Sequence, residues 1–162
     1  MEAESIVAVT HSVEETRVVA GALAVLTEPG SVITLDGDLG AGKTHFTQGF
    51  AQALGVTESV TSPTFNVLYV YDSGRIPLYH FDLYRLNDAS ELDDIAFFEY
   101  LESSGVSCIE WATKFPEELP DNRVEVTITR VLEDETARII SARAVGIDEE
   151  RMVRQWKAQV MS

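Results

Sequence analysis

Apolar positions along the chain recur with two periods, one close to two residues and one close to 3.6. A short β-branched run, Ile6 to Val9, stops at Thr10-His11-Ser12. Ser12 and Glu15 have the form of a capping box, in which hydroxyl and carboxylate satisfy free N–H groups at a helix start. Val18, Val19, Ala22, Leu23 and Leu26 then follow at helical spacing until Pro29-Gly30 interrupts them. Val32 to Leu35 is a short apolar strand running into Gly37. From Lys43 to Leu54 a second helix presents Phe46, Phe50, Ala51 and Leu54 on one face, and Gly55 is its stop signal. Phe65–Tyr71 and Ile76–Phe81 read as strands joined by the turn Asp72-Ser73-Gly74-Arg75. Glu91–Glu102 reads as a helix and Val106–Ile109 as a buried strand. Val124–Val131 and Ala137–Ala144 alternate around Glu133–Thr136 as a second hairpin. Asp148–Met161 is a polar helix with no evident partner face. Strands alternating with helices, then hairpins, predict an α/β domain of three layers around a mixed sheet, parallel at its centre and closed by a C-terminal β-hairpin. The domain is expected over residues 1–147, with 148–162 a helical extension.

The length of 162 residues suits one domain, and 45% hydrophobic residues suffice for a packed core. Charge narrows the function. Asp and Glu number 27 against 12 Lys and Arg, a net charge of −15. Such a polyanion is repelled by phosphate backbones and anionic lipid surfaces, so strong direct binding of RNA, DNA or a membrane is not expected. A single cysteine, Cys108, excludes an internal disulfide and fits a reducing compartment. The N-terminus is acidic, and the longest apolar stretch, Val18 to Leu26, is far below the ~20 residues of a membrane span. A cytoplasmic protein is expected.

The chemistry concentrates in Gly37-Asp38-Leu39-Gly40-Ala41-Gly42-Lys43-Thr44, which matches G-x-x-x-x-G-K-[ST] at every fixed position. Glycines allow such a loop to curl its N–H groups around a β-phosphate, where a Cβ would obstruct. The helix beginning at Lys43 turns its positive end to the phosphates. Lys43 would neutralise β- and γ-oxygens, and Thr44 would hold Mg²⁺. The competing reading is a glycine-rich turn with an ordinary surface lysine, but a strand before the motif and a helix after it favour the P-loop. A P-loop fold needs a further acidic group at the end of a buried strand, and both Asp82 and Glu110 have that position. Spacing leaves open which faces the metal and which orients water.

Thr61-Ser62-Pro63-Thr64-Phe65 has the place of a switch-like loop reaching the γ-phosphate, or of a simple turn. Trp111 is suited equally to covering the nucleotide and to the core. His80, on an apolar strand, reads as a satisfied core histidine rather than a ligand, and Cys108 as a small buried hydrophobe. Asp88, Glu91, Asp93, Asp94, Glu99 and Glu102 form a stretch with no basic residue, a solvated face or a docking surface for a basic partner.

GDLGAGKT (Gly37–Thr44), SPTF (Ser62–Phe65), HFDLYRL (His80–Leu86) and IEW (Ile109–Trp111) together resemble the TsaE family, over roughly Ile6 to Arg143. The resemblance implies a P-loop NTPase-like fold, ATP and Mg²⁺ as cofactors, and a metal held by Thr44 and Glu110. It implies Asp82 in hydrolysis or its coupling, so that Lys43, Asp82 and Glu110 are the candidate catalytic residues. Nucleotide contacts are expected from Asp38, Leu39, Gly40, Ala41, Gly42, Lys43, Thr44, His45, Thr64 and Trp111. On the base side they are expected from Thr10, His11 and Arg138, with Arg130 the other basic residue of the last hairpin. The implied activity is a slow, partner-dependent ATPase, an accessory subunit in forming threonylcarbamoyladenosine at position 37 of tRNAs that read codons beginning with adenine. Its implied partners are the threonylcarbamoyl transferase subunit and a paralogous scaffold, of the TsaD and TsaB types, which handle the tRNA.

The chain also departs from the family pattern. His45 stands where a second threonine is frequent, Glu133, Asp134 and Glu135 make the last turn acidic, and Asp148–Ser162 is an extension without a family counterpart. A P-loop kinase of a nucleotide or small metabolite is the alternative, but such enzymes set several arginines over the site. Between Thr44 and Asn122 the chain has only Arg75, Arg85 and Lys114. A regulatory GTPase is disfavoured because no N-K-x-D tetrapeptide occurs.

Overall fold

Four parallel strands form the centre of one sheet, and their carboxyl ends therefore meet at one edge. The structure, a computed structural model, describes residues 3–38 and 40–161. Its strands are β1 Ser5–Thr10, β2 Val32–Gly37, β3 Leu68–Tyr71, β4 Leu78–Asp82, β5 Val106–Glu110, β6 Arg123–Val131 and β7 Asp134–Val145. Its helices are α1 Val13–Ala24, α2 Lys43–Leu54, α3 Ser90–Asp94, α4 Phe97–Leu101 and α5 Ile147–Val160. The sheet order is β1-β7-β6-β2-β5-β4-β3. The β6-β2-β5-β4 core is parallel, while β7, β1 and β3 pair antiparallel at its flanks.

Alternation along each strand sorts the apolar side chains into two clusters. Ile33, Leu35, Leu78, Val106, Cys108 and Val126 face α1, α2 and α5. Val32, Tyr79, Phe81 and Ile109 face α3 and α4. This is the expected three-layer α/β arrangement, with the expected terminal hairpin as β6 and β7.

Four local expectations need correction. Residues 65–67 do not extend β3, because the carbonyl of Pro63 accepts from the N–H groups of Asn66 and Val67 (2.9 and 2.6 Å), closing a turn. Val67 has φ +68° and Phe65 is 83% exposed. The helix expected over Glu91–Glu102 is two short helices separated at Ala96, which has φ +57°. A straight helix would point Leu92 and Phe97 about 140° apart; the break lets both side chains reach the sheet, fully buried. Ser12 caps α1 as expected, accepting from Glu15 N (3.1 Å), but Glu15 Oε1 accepts from His11 N (2.9 Å), one residue before the usual box partner. The polar C-terminal helix, α5, does have a partner face. It buries Val153 and Trp156, whose Nε1 donates to Val19 O on α1 (2.8 Å) and whose ring meets Phe46 of α2 edge-on at 6.3 Å. Met152 and Val160, partly buried, complete this face as an apolar stripe at helical spacing among mostly charged and polar residues.

Candidate nucleotide-binding site

The loop after β2 is shaped from within and from the terminal hairpin. Gly40 and Gly42 have φ of +79° and +112°, a region that side chains with a Cβ rarely enter. Ala41 N donates to Asp38 O (2.9 Å), and Phe46 N donates to Gly42 O (2.9 Å) to start α2. From the hairpin, Arg130 Nη2 donates to Gly40 O (3.0 Å) and Arg138 Nε to Ala41 O (2.8 Å). A trans peptide directs its C=O and N–H oppositely. Holding the Ala41 carbonyl on Arg138 thus turns the Gly42 N–H away from the hairpin. These are the two basic residues of the last hairpin expected near a nucleotide; β6 and β7 return them to the loop, where both bond its carbonyls.

A cavity of about 240 Å³ opens between Gly40, Gly42, Lys43 and Thr44 on one side and Ser62, Thr64, Asp82, Glu110 and Trp111 on the other. Parallel pairing in register brings Asp82 of β4 opposite Glu110 of β5, which in turn pairs with Leu35 of β2. Both carboxylates accordingly stand at the carboxyl edge of the sheet, where open α/β folds bind ligands. Each is held differently. Asp82 Oδ1 accepts from Tyr84 N (3.0 Å) and Oδ2 from Thr64 Oγ1 (2.7 Å), and Thr64 is bonded in turn to Ser62 Oγ (2.8 Å). Glu110 Oε2 lies 2.6 Å from His80 Nε2, and its Oε1 lies 4.0 Å from Lys43 Nζ. The Lys43 ammonium also sits 4.7 Å from the Trp111 ring centroid. Trp111 has φ +59° and packs on Tyr84 at 4.8 Å.

Among the described residues no group of three or more His, Cys, Asp and Glu makes a metal cage. The hydroxyl of Thr44 and the carboxylate of Glu110 are instead hard oxygen donors of the kind that suits Mg²⁺, an ion commonly shared between one or two side chains and substrate phosphates.

On the other side of the loop a cavity of about 390 Å³ is lined by His11, Ser12, Thr16, Thr136 and Arg138, and it shares Gly40, Gly42 and His45 with the first. His11 and Arg138 therefore line one cavity together, across the loop from Lys43 and Thr44. Arg138 is partly committed, its Nη1 donating to the carbonyls of Glu135 and Ala137. Thr10 does not line this cavity; it is 1% exposed and bonded through its hydroxyl to Thr16 (2.7 Å). Asp38 lies instead on a third cavity of about 370 Å³ with Asp36, Lys43 and Trp111. The Ala41 methyl belongs to the core, and Leu39 lies outside the described residues. Ser62, Thr16 and Thr136 line the two cavities without having been singled out as contacts. The signal for Ser62 was its place in the hydroxyl-rich loop, and that for Thr16 its helical spacing from Ser12.

Burial raises the Asp36 carboxyl above its ordinary value of 3.8, Glu125 adds to this and Lys43 opposes it. Its proton is thus bound more tightly in the folded than in the unfolded chain. The cost to stability is absent below the unfolded value, accrues as pH rises past it, and is complete above the folded value. Asp36→Asn is expected to melt at higher temperature than the wild type at pH 7, with the gap narrowing towards pH 4. Calorimetric melts across that range check it, and a gap independent of pH would contradict the assignment. The Cys108 thiol is pushed up to about 12 by burial and by the Glu110 charge, so it remains a neutral thiol.

The family model described as threonylcarbamoyl adenosine biosynthesis protein TsaE matches residues 10–140 of this chain. The chain belongs to the TsaE family. It is 47% identical over 137 residues to the tRNA threonylcarbamoyladenosine biosynthesis protein TsaE of Bacillus subtilis, covering 85% of this chain and 84% of the relative. It is 42% identical to the protein of that description from Treponema pallidum, over 83% of this chain and 98% of the relative. The crystal structure of Bacillus subtilis YdiB superposes with a TM-score of 0.82 at 37% identity, covering 98% of this chain and 97% of that one. That coverage takes in α5, so the C-terminal helix has a counterpart in YdiB, contrary to the expectation of an unmatched extension. The TsaE-family fold, with its mixed seven-stranded sheet, is shared throughout. No helix among the described residues is long and apolar enough to cross a membrane.

Proposed function

We propose that this TsaE-family protein is a Mg²⁺-dependent ATPase serving the formation of threonylcarbamoyladenosine at position 37 of tRNAs reading codons that begin with adenine. The observation that carries the reading is the convergence of the P-loop, Thr44, Glu110, Asp82 and Thr64 on one cavity, which shares Gly40, Gly42 and His45 with a larger one across the loop. ATP would lie with its phosphates in the cavity between the P-loop and Thr64, Asp82 and Glu110 and with its base towards His11 and Arg138. Thr44 and Glu110 would hold the metal ion, which when bound supplies positive charge to the phosphate oxygens. Lys43 supplies a second charge to the same oxygens. Asp82, fixed by Tyr84 and Thr64, orients water or links hydrolysis to the 61–67 loop. Thr10 acts one step back, holding Thr16.

Arg130 and Arg138 give their Nη2 and Nε hydrogen bonds to loop carbonyls. A basic group for the transferring phosphoryl is therefore proposed to come from a partner, a contribution of ~10³–10⁵-fold in NTPases that receive one in trans. The partners are the carbamoyl-transferase and scaffold subunits, of TsaD and TsaB type, acting in the cytoplasm and carrying the tRNA that this acidic chain does not grip. Exposed Phe65 and Tyr84 beside the phosphate cavity, and exposed Asp88, Asp93, Asp94 and Glu99 beyond, suit a basic docking face. The expected result is slow hydrolysis alone and faster hydrolysis with both partners. Salt should weaken the assembly more than nucleotide binding, because exposed charges are screened. Steady-state ATPase assays with and without the purified partners, at two salt concentrations, test it. A fast rate unchanged by partners would overturn partner dependence.

A further inference from the structure

We infer that His80 is a positioning residue, which holds one oxygen of Glu110 so that the other faces the phosphate cavity. The inference rests on the proposed place of Glu110 in the Mg²⁺ site and deepens it. His80 is fully buried, yet a histidine retained only for packing would have both ring nitrogens satisfied or be replaced by an apolar ring. Here Nε2 makes a 2.6 Å contact with Glu110 Oε2, while Nδ1 is buried without a hydrogen-bond partner. The ring has been oriented for one bond, and that bond is to a candidate metal ligand.

Strand geometry shows why this residue does so. In the parallel β4–β5 pair, His80 stands opposite Cys108 and Asp82 opposite Glu110. Residues two apart share a face, so His80, Asp82, Cys108 and Glu110 all face α2, in two adjacent rows. An imidazole one row below the carboxylates is long enough to reach Glu110, whereas Asp82 is engaged by Tyr84 and Thr64. A carboxylate accepts hydrogen bonds, so Nε2 is the donor in this contact. Glutamate has several rotatable bonds, and anchoring Oε2 leaves Oε1, 4.0 Å from Lys43 Nζ, as the oxygen presented to the site. A partner behind a metal ligand in this way orients it and sharpens its affinity, commonly by about 10–100-fold.

The test compares His80→Gln, His80→Asn, His80→Leu and Glu110→Gln. A glutamine amide reaches to where Nε2 lies and keeps the donor; the shorter asparagine amide reaches only to the Nδ1 position. Calorimetry with a non-hydrolysable ATP analogue, with and without Mg²⁺, reads the metal-dependent gain in affinity. Electron paramagnetic resonance with Mn²⁺ reads the metal site itself, and thermal melts establish folding. The expected result is metal-free nucleotide affinity unchanged in the three His80 variants. The metal-dependent gain should fall about 10–100-fold in Asn and Leu and be restored in Gln. Wild-type gain in folded Asn and Leu variants would overturn the inference, as would equal loss in Gln, Asn and Leu, which would make His80 structural only. Should Leu fail to fold, the Gln and Asn pair, matched in polarity, still decides. If Glu110→Gln itself keeps the full metal-dependent gain, the reading of Glu110 as a ligand has failed, a distinct outcome.

Discussion

Truncating Trp156 to alanine is expected to cost about 3–5 kcal/mol of folding stability, the range for a large aromatic removed from a core. The residue lies on a helix made mostly of charged and polar residues, yet its ring is fully buried and is the largest such side chain among the described residues. Three effects add. The indole leaves a cavity bordered by α1 and α2, the edge-on contact with Phe46 is lost, and Val19 O loses its extra donor. Against a total stability of about 5–15 kcal/mol for a domain of ordinary stability, such a loss is a fifth of the whole at the least. Urea titration of wild type and Trp156→Ala measures it, and Trp156→Phe separates packing from the hydrogen bond, whose share is about 1 kcal/mol. A loss below about 1 kcal/mol in the alanine variant would mean that α5 is a dispensable attachment.

Lys43→Ala and Asp82→Asn are expected to fail at different steps. Lys43 is almost buried, between the Glu110 carboxylate and the Trp111 ring, with its ammonium at the mouth of the phosphate cavity. Removing it deletes a charge-assisted contact of about 1.5–3 kcal/mol, so ATP affinity should drop about 10- to 10²-fold. Asp82→Asn is a cleaner change than it first looks. The amide oxygen can still accept from Tyr84 N, and the hydroxyl of Thr64 can rotate to accept from the amide nitrogen, so the geometry survives while the charge does not. Nucleotide binding should then stay nearly intact while single-turnover hydrolysis slows by about 10²-fold, the size of a lost general-base or water-orienting contribution. Calorimetric ATP affinity and single-turnover rates on both variants check the division. Equal loss of binding in both would place Asp82 in the nucleotide site proper.

Much of the fold was legible because its signals are local. The strands ending in Asp82 and Glu110, and the strand–loop–helix around Gly37–Thr44, lie where alternation and the glycine pattern put them. What was not legible depended on tertiary contacts. Nothing local announces that Ala96 adopts a left-handed conformation; the break follows from two apolar positions having to meet one sheet. Met152, Val153, Trp156 and Val160 recur at helical spacing, but what they pack on shows only once α1 and the P-loop helix are seen beneath them. The same holds at the site. His80 and Asp82 differ by the two residues that put them on one face, but only the β4–β5 register reveals that His80 reaches Glu110. Arg130 and Arg138 lie some ninety residues beyond the loop they contact, a separation that only the sheet order closes.

Those two guanidinium contacts bear on how the loop meets its ligand. β6 pairs with β2 through Val124–Ile128 and with β7 through Arg130, and β7 pairs with β1, so the carbonyls of Gly40 and Ala41 are tied to the hairpin of the main sheet. Glycine-rich segments ordinarily surrender about 1–2 kcal/mol of backbone entropy per residue when they become fixed. Here that ordering is completed during folding, by contacts that do not involve the ligand. The cradle is thus a preorganised receptor, and the free energy of its phosphate contacts is left to appear as affinity instead of being absorbed in assembling the loop.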